Sequence, residues 1–441
     1  AAVTAIRSGN DLIMQTPAFK DGAIQAVHHG KLEESEIDEV CTRILNLKFA
    51  MGLFENPRRP NSREQATVIG CDAHKELNLQ AAHEALVLLR TDDPLLPVKE
   101  DKSRKLAVIG FNADHPQNQM GDWAGGSGQV DWIKDGHPRA CSTTVVDGLK
   151  NRLPETWQII HKVGCAIDEE DESPIPDAVQ AATESDIALV VVGDSIRYTG
   201  ETKSTATLEL PGSQTKLLKE LEPVETPIIL LVISSKPMVL PPRWQKHATW
   251  IQAFNPGMAG GQAIAELIFG DFNPSGKLSI SLPVHVGQQP VNYSQVRGQH
   301  GYHYADLSRD PLFSFGEGLS YTSYEYQNLH LSSRELSMDD SLEVTVKVKN
   351  TGERDGEEIV QLYISDLYTS ATWVQKELQA FRRVPIQAGE TQSVHFQIPV
   401  SDMSIVNANG ERLVEPGEFE VQVGPNSLGE NALHEHYFVR S

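Results

Sequence analysis

Strand-length runs of valine, isoleucine and leucine alternate with helix-length segments between residues 73 and 284. Such runs carry apolar side chains at every position, so both faces of each strand need cover, which helices between consecutive strands supply. The pattern therefore predicts an α/β sandwich with a mostly parallel, doubly wound sheet. The predicted strands are 105–110, 158–163, 187–193, 227–234 and 250–254, and the predicted helices are 73–88, 177–183, 213–221 and 260–269.

The carboxy-terminal part changes to a period of two. Leu342, Val344, Val346 and Val348 alternate with polar residues, as in a strand with one buried face. Further short strands are predicted at 359–364, 393–398 and 419–423. The spacing predicts a β-sandwich of immunoglobulin or fibronectin type III character over residues 326–441, joined to the α/β sandwich by a tyrosine-rich connector at 291–325.

The first 58 residues are predicted to include two helices. After the acidic run 33–39, apolar residues recur every three or four positions, the spacing of one buried helix face. Cys41 lies within this pattern and is expected in the core, Gly52 ends the helix, and residues 59–72 are expected to form a linker. The apolar positions of the predicted face are Ile37, Val40, Ile44, Leu47 and Met51.

The charge of the chain limits its partners. A formal net charge of -22 repels phosphate groups, which argues against nucleic acid and anionic membranes. The chain has no apolar run of about twenty residues. The first 14 residues lack a signal-peptide pattern, so the sequence is expected to be internal to a longer protein. The four cysteines show no CxxC spacing, which disfavours a zinc or redox motif and leaves a disulfide neither required nor excluded.

Six phrases follow one another along the chain: SGNDLIM at 8–14, RILNLKFAMGLF at 43–54, EALVLLR at 84–90, FNPGMAGG at 254–261, FGDFNPSGKL at 269–278 and PLFSFGEGLSYT at 311–322. In this order they resemble glycoside hydrolase family 3, a family that includes exo-acting β-glucosidases. Each phrase also has a structural interpretation, such as the turn chemistry of residues 273–276. The ordered series over most of the chain carries the resemblance.

The resemblance implies a fold in three parts. Residues 1–58 are expected to be the tail of a (β/α)8 barrel, residues 73–290 the α/β sandwich, and residues 326–441 the fibronectin type III-like domain. In this family the barrel supplies a nucleophilic aspartate, and no Ser-Asp-Trp-like segment that would carry it occurs in this sequence. We therefore expect the nucleophile on an N-terminal barrel segment, supplied as a second chain or lost, and we expect this chain alone to be inactive. Asp11 is expected to support the barrel end or to hold its turn.

Retaining glycoside hydrolysis needs two carboxyl groups roughly 5 Å apart, one as the nucleophile and one as the general acid/base. The resemblance places the acid/base at Glu201, in a Gly-Glu pair ahead of the phrase LPGSQ at 210–214. Where the family has Asp-Arg or Ser-Arg after this glutamate, the chain has Ser204 and Thr205. The loop follows the predicted strand 187–193, and open α/β sheets bind ligands at such strand ends. The alternative is an exposed loop glutamate without a catalytic role.

Three more residues are candidates for substrate binding. Asp194 ends the strand and either binds a sugar hydroxyl or caps a turn. The phrase MGDW at 120–123 resembles the Gly-x-Trp of the family, so Trp123 is expected to stack on the leaving group at the +1 subsite, with Asp122 beside it. An indole ring offers a flat apolar surface to a sugar ring. A tryptophan that anchors a loop to the core is the alternative interpretation.

Histidines at 28–29 and 434–436 are interpreted as solvated loop residues, because no third metal ligand is evident beside them. The mechanism requires no metal and no other cofactor.

The sequence thus predicts a retaining exo-glycosidase that releases β-linked glucose from oligosaccharides or aryl glycosides. The alternatives are a β-xylosidase or a related family 3 enzyme, and a non-catalytic carbohydrate-binding protein. An esterase is disfavoured because no Gly-x-Ser-x-Gly occurs. The expected partners are a glucoside or oligosaccharide substrate and the barrel segment, without nucleic acid or membrane, and a homodimer stays open. The resemblance favours a periplasmic or secreted location over the cytoplasm.

Overall fold

The computed structural model describes residues 1–91, 95–122, 124, 139–296, 298–299 and 303–441. The chain divides into two units, Ala1–His74 and Lys75–Ser441. None of the helices in the described ranges combines the length and the apolar character needed to cross a membrane.

The first unit is helical. Its buried centre is formed by Ile6, Ala26 and Leu32, and Ile37 and Val40 pack against this centre. The helices are α1 Ala2–Arg7, α2 Pro17–His28, α3 Glu34–Ala50 and α4 Ser62–Val68, and α5 Asp72–Ala85 begins at the end of the unit. The segment predicted as a linker at 59–72 therefore contains α4.

The prediction of a buried face along the whole of α3 is wrong. No residue of α3 is buried, the side chain of Leu47 is 62% exposed, and Cys41 is exposed rather than in the core. Periodicity identifies an apolar face but not the element that covers it. Within the described residues, other side chains pack only on the beginning of this face, at Ile37 and Val40. All four cysteines are free thiols.

The second unit begins with the predicted α/β sandwich, a six-stranded sheet in the order β1-β6-β5-β4-β2-β3. Strands β2 to β6 run parallel, and β1 pairs with β6 antiparallel. The strands are β1 Val87–Arg90, β2 Lys105–Ile109, β3 Gln158–Lys162, β4 Ile187–Gly193, β5 Ile228–Ile233 and β6 Thr249–Gln252. The helices are α6 Pro116–Met120, α7 Val145–Arg152, α8 Ile175–Thr183, α9 Gln214–Leu221, α10 Pro242–Lys246 and α11 Gly260–Phe269.

The predicted helix 73–88 is wrong at its end. Helix α5 stops at Ala85, and the next residues form the edge strand β1, where Leu88 pairs with Ile251. Since Leu86 and Leu88 are both fully buried, the short apolar run contains no periodicity that separates a helix end from a strand.

Alternate strand residues face two separate cores, one on each side of the sheet. Val108 and Leu189 pack on the side of α7 and α11, and Ala107 and Val190 pack on the side of α8 and α9. All seven residues of β4 are buried. Burial of each large apolar side chain stabilises the fold by about 1.5–3 kcal/mol. The buried side chains of β2 and β4 are therefore a main source of stability.

The fibronectin type III-like sandwich consists of two sheets, in the orders β11-β10-β15-β16-β8 and β12-β9-β7, and β13 and β14 form a separate two-stranded sheet. The predicted alternation holds, because Leu342, Val344, Val346 and Val348 are all fully buried. The strands are β7 Tyr324–Leu331, β8 Glu335–Ser337, β9 Ser341–Asn350, β10 Gly356–Asp366, β11 Glu377–Ile386, β12 Thr391–Pro399, β13 Ile405–Val406, β14 Arg412–Leu413, β15 Gly417–Gly424 and β16 Leu433–Arg440.

The interpretation of the histidines as loop residues is wrong in both places. His28 ends helix α2. His434 and His436 lie in strand β16, where Nδ1 of His436 is 3.0 Å from the Glu418 carboxylate on β15. The segment in which polar and apolar residues alternate is short, so its sequence resembles that of a loop.

A buried ion pair joins the α/β sandwich to the fibronectin type III-like domain. The ammonium of Lys277 lies 3.4 Å from the carboxylate of Glu358, and the two side chains are 12% and 4% exposed. Tyr326 donates a hydrogen bond to Glu358, and Lys277 donates one to the carbonyl of Gly318. Because each charge has several partners, the pair does not leave an uncompensated charge in the interior.

Helices α7 and α11 touch through their backbones. A Cβ added to Gly261 would lie 1.9 Å from the carbonyl oxygen of Thr144, and one added to Gly148 would lie 2.0 Å from the carbonyl oxygen of Gly261. Only glycine permits this approach.

We expect Gly261→Ala to lower the free energy of unfolding by about 1–3 kcal/mol or more, because the two helices must separate. Gly417→Ala is the matched control, since nothing lies within 4 Å of its added Cβ. Thermal unfolding followed by circular dichroism measures both. Equal melting temperatures for the two variants would contradict the backbone contact.

Candidate active site

The sheet has its topological switch point between β2 and β4. From this point β3 lies on one side, and β5 and β6 lie on the other. The loops that leave β2 and β4 therefore diverge and open a crevice at the carboxyl ends of the strands, where doubly wound folds bind ligands. These two loops contain Asp122, Asp194 and Glu201.

Two buried asparagines connect the two loops. The Nδ2 of Asn112, after β2, donates to the carbonyl of Asp194 at 3.0 Å. The Nδ2 of Asn118 donates to Oδ1 of Asn112 at 2.7 Å, and Oδ1 of Asn118 accepts from the backbone N–H of Ile196 at 3.2 Å. Side-chain amides with satisfied donors and acceptors hold the two strand ends in register.

The network continues to the loops after β5 and β6. Asn255 donates from Nδ2 to the carbonyl of Asn118 at 3.0 Å, and Ser235 donates from Oγ to Oδ1 of Asn255 at 2.7 Å. The backbone N–H of Ser235 donates to Oδ1 of Asp194 at 3.3 Å. Four strand ends thus share one frame of hydrogen bonds, built mainly from side-chain amides, which the sequence did not predict. Of its asparagines, only Asn255 lies in one of the six phrases that carry the family resemblance.

The phrase LPGSQ has a structural role that the position of Gln214 explains. The Nε2 of Gln214 donates to the carbonyl of Gly193 at 2.7 Å, and its Oε1 accepts from the Gly193 N–H at 2.9 Å. Gly193 has a φ of 152° and lies so close to β5 that a Cβ would be 1.7 Å from the carbonyl oxygen of Ile233. The carboxamide therefore fixes the last peptide of β4 immediately before Asp194.

Asp194 is a buried carboxylic acid at this strand end. The residue is 3% exposed, and its Oδ2 has no hydrogen-bond partner within the described residues. Burial raises the pKa of Asp194 to about 6, while the Ser235 N–H and the Lys236 ammonium act in the opposite direction. A carboxyl group with one free oxygen and a pKa near neutrality is suited to accept or share a proton with a bound hydroxyl.

Two lysines hold the loop that contains Glu201. The ammonium of Lys236 donates to the carbonyl of Tyr198 and to Oγ1 of Thr205, both at 2.9 Å. The ammonium of Lys203 donates to the carbonyl of Ile196 at 3.0 Å. Thr205 is thus a contact of a lysine from the neighbouring loop. Burial lowers the pKa of Lys236.

The structure places Glu201 on an exposed turn of this loop. Its neighbours Gly200 and Thr202 both have positive φ, 115° and 65°. Within the described residues no hydrogen bond joins the Glu201 carboxylate to another group. The loop position at the end of β4 agrees with the prediction, but the chain does not bring Glu201 into contact with Asp194 or Asp122.

Asp122 follows Gly121 in the other loop of the crevice. Both of its carboxylate oxygens are shielded from solvent, and neither has a hydrogen-bond partner within the described ranges. A shielded, unpaired carboxylate is costly without a donor, and sugar hydroxyls are donors. The predicted stacking residue Trp123 lies outside the described residues.

Asp11 lies in the first unit, where Arg43 donates to both of its carboxylate oxygens at 2.8 Å. This paired interaction uses both oxygens of the side chain and joins the turn before α2 to α3. In the described part of the chain, no group of three or more histidine, cysteine or acidic side chains could hold a metal ion.

Comparisons with known proteins agree with this architecture. The profile of the glycosyl hydrolase family 3 C-terminal domain matches residues 86–321, and that of a fibronectin type III-like domain matches residues 358–427. A β-xylosidase of Formosa agariphila is 34% identical over 98% of this chain and 60% of its own length. A periplasmic β-glucosidase of Salmonella typhimurium is 30% identical over 97% of this chain and 59% of its own length.

Solved structures give the same result. A β-glucosidase involved in saponin metabolism from intestinal bacteria has a TM-score of 0.93 and 42% identity, over 100% of this chain and 64% of its own. A β-glucosidase from Listeria innocua in complex with isofagomine has a TM-score of 0.87 and 30% identity, over 99% of this chain and 60% of its own.

Both domains of the second unit therefore have the architecture of carbohydrate-cleaving enzymes. The chain belongs to glycoside hydrolase family 3, and it spans about 60% of the length of the curated relatives described above. The predicted family and the predicted fold class of sandwich and fibronectin type III-like domain are confirmed.

The raised pKa of Asp194 makes a prediction for stability. The protonated carboxyl is favoured in the folded state. Its contribution to the free energy of unfolding is therefore complete below the ordinary pKa of 3.8 and is lost as the pH rises through about 6. Asparagine cannot ionise. We therefore expect Asp194→Asn to become more stable relative to the unchanged protein between pH 4 and pH 8, by on the order of 2–3 kcal/mol.

Denaturant unfolding at several pH values measures this difference. Asp177→Asn is the control, since it removes the same charge from an exposed position on α8. A stability difference for Asp194→Asn that does not change with pH would contradict the argument.

Proposed function

We propose that this chain is the carboxy-terminal part of a retaining exo-β-glycosidase that releases β-linked glucose from oligosaccharides and aryl glucosides. The observation that carries the proposal is the position of Glu201, on the loop after β4 at the switch point of the family 3 sheet. The carboxylate is exposed, which suits a group that acts on a substrate held by another part of the enzyme.

Glu201 acts first as a general acid that protonates the glycosidic oxygen while a nucleophilic carboxylate attacks the anomeric carbon. Glu201 then removes a proton from the water that releases the sugar. The nucleophile is an aspartate of an N-terminal barrel segment, present in the same protein or as a second chain. Lys203 and Lys236 hold the backbone of the Glu201 loop and so orient the acid.

The first unit supports a contact with such a barrel. Its apolar surface is extensive, and soluble proteins rarely leave apolar patches of this kind without a partner. The exposed apolar side chains of the unit include Leu12, Met14, Leu45, Leu47, Phe49, Phe54 and Ile69. In this proposal, Asp11 and its partner Arg43 brace the end of the barrel.

Glucose is the preferred substrate sugar in this proposal because the structure with 42% identity is a β-glucosidase. The β-xylosidase of Formosa agariphila supports β-xylosides as the second candidate. The periplasmic relative supports a location outside the cytoplasm. Comparison of kcat/KM for p-nitrophenyl β-glucoside and p-nitrophenyl β-xyloside decides between the two sugars. A higher value for the xyloside would replace the glucosidase assignment.

We expect Glu201→Gln, in the enzyme with its barrel segment, to lower kcat/KM for cellobiose by about 10²–10⁴-fold, the usual contribution of general acid catalysis. Dinitrophenyl β-glucoside should lose much less in the glycosylation step, because its leaving group needs no proton. Glu209→Gln is the matched control, an exposed glutamate near the same loop. Equal losses for the two variants, or equal losses for the two substrates, would contradict the role of Glu201.

Asp122 is proposed to accept hydrogen bonds from the leaving-group sugar, beside the stacking surface of Trp123. We therefore expect Asp122→Asn to raise the KM for cellobiose by about tenfold, since a charge-assisted hydrogen bond contributes about 1.5–3 kcal/mol. The KM for p-nitrophenyl β-glucoside should stay nearly constant, because this substrate has no second sugar. A parallel rise for both substrates would place Asp122 elsewhere in the mechanism.

A further inference from the structure

A cavity separate from the crevice lies beside the segment that follows β5, where the connector between the two domains of the second unit packs. Its volume is about 310 Å³, near the lower end of small-molecule sites and large enough for one sugar ring. Pro237, Ile280 and Val291 contribute apolar lining. The cavity is separate from the residues of the candidate active site.

Two aromatic side chains form a fixed part of the lining. The rings of Tyr293 and Phe315 are stacked, with centroids 4.3 Å apart. The hydroxyl of Tyr293 accepts a hydrogen bond from the backbone N–H of Leu378 at 3.2 Å, and the N–H of Phe315 donates to Oγ of Ser281 at 3.3 Å. The rings are therefore held in place before any ligand arrives, which lowers the entropic cost of binding.

The polar lining consists of neutral groups. The carboxamides of Gln289 and Asn292 and the hydroxyls of Ser279 and Ser294 line the cavity. Within the described residues these four side chains have no hydrogen-bond partner. In the part of the chain that the structure describes, the lining residues include no charged side chain. Carboxamides and hydroxyls both donate and accept, as sugar hydroxyls do.

We propose that this cavity binds one pyranose unit of a neutral oligosaccharide, as a carbohydrate site distinct from the candidate active site. Apolar and aromatic lining suits the C–H face of the sugar, and the unpaired carboxamides and hydroxyls suit its hydroxyl groups. The uncharged lining gives no preference for a uronic acid or a phosphate. The inference rests on the proposed function only for the choice of glucose as the sugar.

The cavity is connected to the active site through three consecutive residues. Ser235 donates to Asp194, Lys236 holds the Glu201 loop, and Pro237 lines the cavity. A glucan held in the cavity stays near the catalytic crevice, so its free ends have a raised local concentration there.

The test is a titration of the 441-residue chain with cellobiose, followed by saturation-transfer NMR. We expect a dissociation constant on the order of 1 mM, as for other ligands held by a few contacts. Asn292→Ala should weaken binding about fivefold or more, because a hydrogen bond is lost. Ser279→Trp, at an exposed position of the lining, should abolish binding by filling the cavity.

Asn151→Ala is the matched control and should leave this titration unchanged, since Asn151 is an exposed asparagine of α7 outside the cavity. Circular dichroism checks that every variant is folded. Absence of cellobiose binding, or binding that Asn151→Ala weakens and Ser279→Trp does not, would overturn the inference. Stronger binding of glucuronate than of glucose would also overturn it. These measurements involve no hydrolysis, so their failure is distinct from a failure of the catalytic proposal.

Discussion

Burial of the central parallel strands on both faces is the constraint from which the rest of the second unit follows. All residues of β4 are enclosed, and its neighbours are almost as deeply buried. A sheet of this kind has no free face on which polar side chains can act, so chemistry is confined to the strand ends. Reversal of strand order between β2 and β4 then selects one of those ends as the crevice.

The crevice is built from neutral amides more than from charges. Asn112, Asn118 and Asn255 tie four strand ends together, and Gln214 fixes the peptide that precedes Asp194. Amide groups hold a geometry without a strong local field, which leaves the carboxyl groups of the crevice to set its electrostatics. Asp194 is buried among these amides with one carboxylate oxygen unpaired within the described residues.

Periodicity predicted the parts of the fold in which side-chain position follows the backbone repeat. The five parallel strands, the alternation in β9 and helix α11 fall in this class, and the ordered phrases correctly identified the family. Prediction failed where a neighbour decides the outcome. Strand β1 depends on pairing with β6, and the exposure of Leu47 depends on what lies against α3. Helix α7 was not predicted, because it is stabilised by packing of Gly148 against α11, a helix more than a hundred residues away.

The candidate site shows the same division. The loop position of Glu201 and the strand-end position of Asp194 followed from one phrase and one strand. The asparagine frame did not, because its members are separated by up to 143 residues and isolated amides form no pattern in a single sequence. Its detection required the sheet order, since only the topology brings the loops after β2, β4, β5 and β6 to one edge.

The ion pair of Lys277 and Glu358 makes each of the two carboxy-terminal domains depend on the other for the partner of a buried charge. If the two domains were separated at the connector, the Lys277 ammonium would remain on one domain and the Glu358 carboxylate on the other. Each domain alone would therefore retain one charged side chain without its ionic partner, which is costly where that side chain is buried.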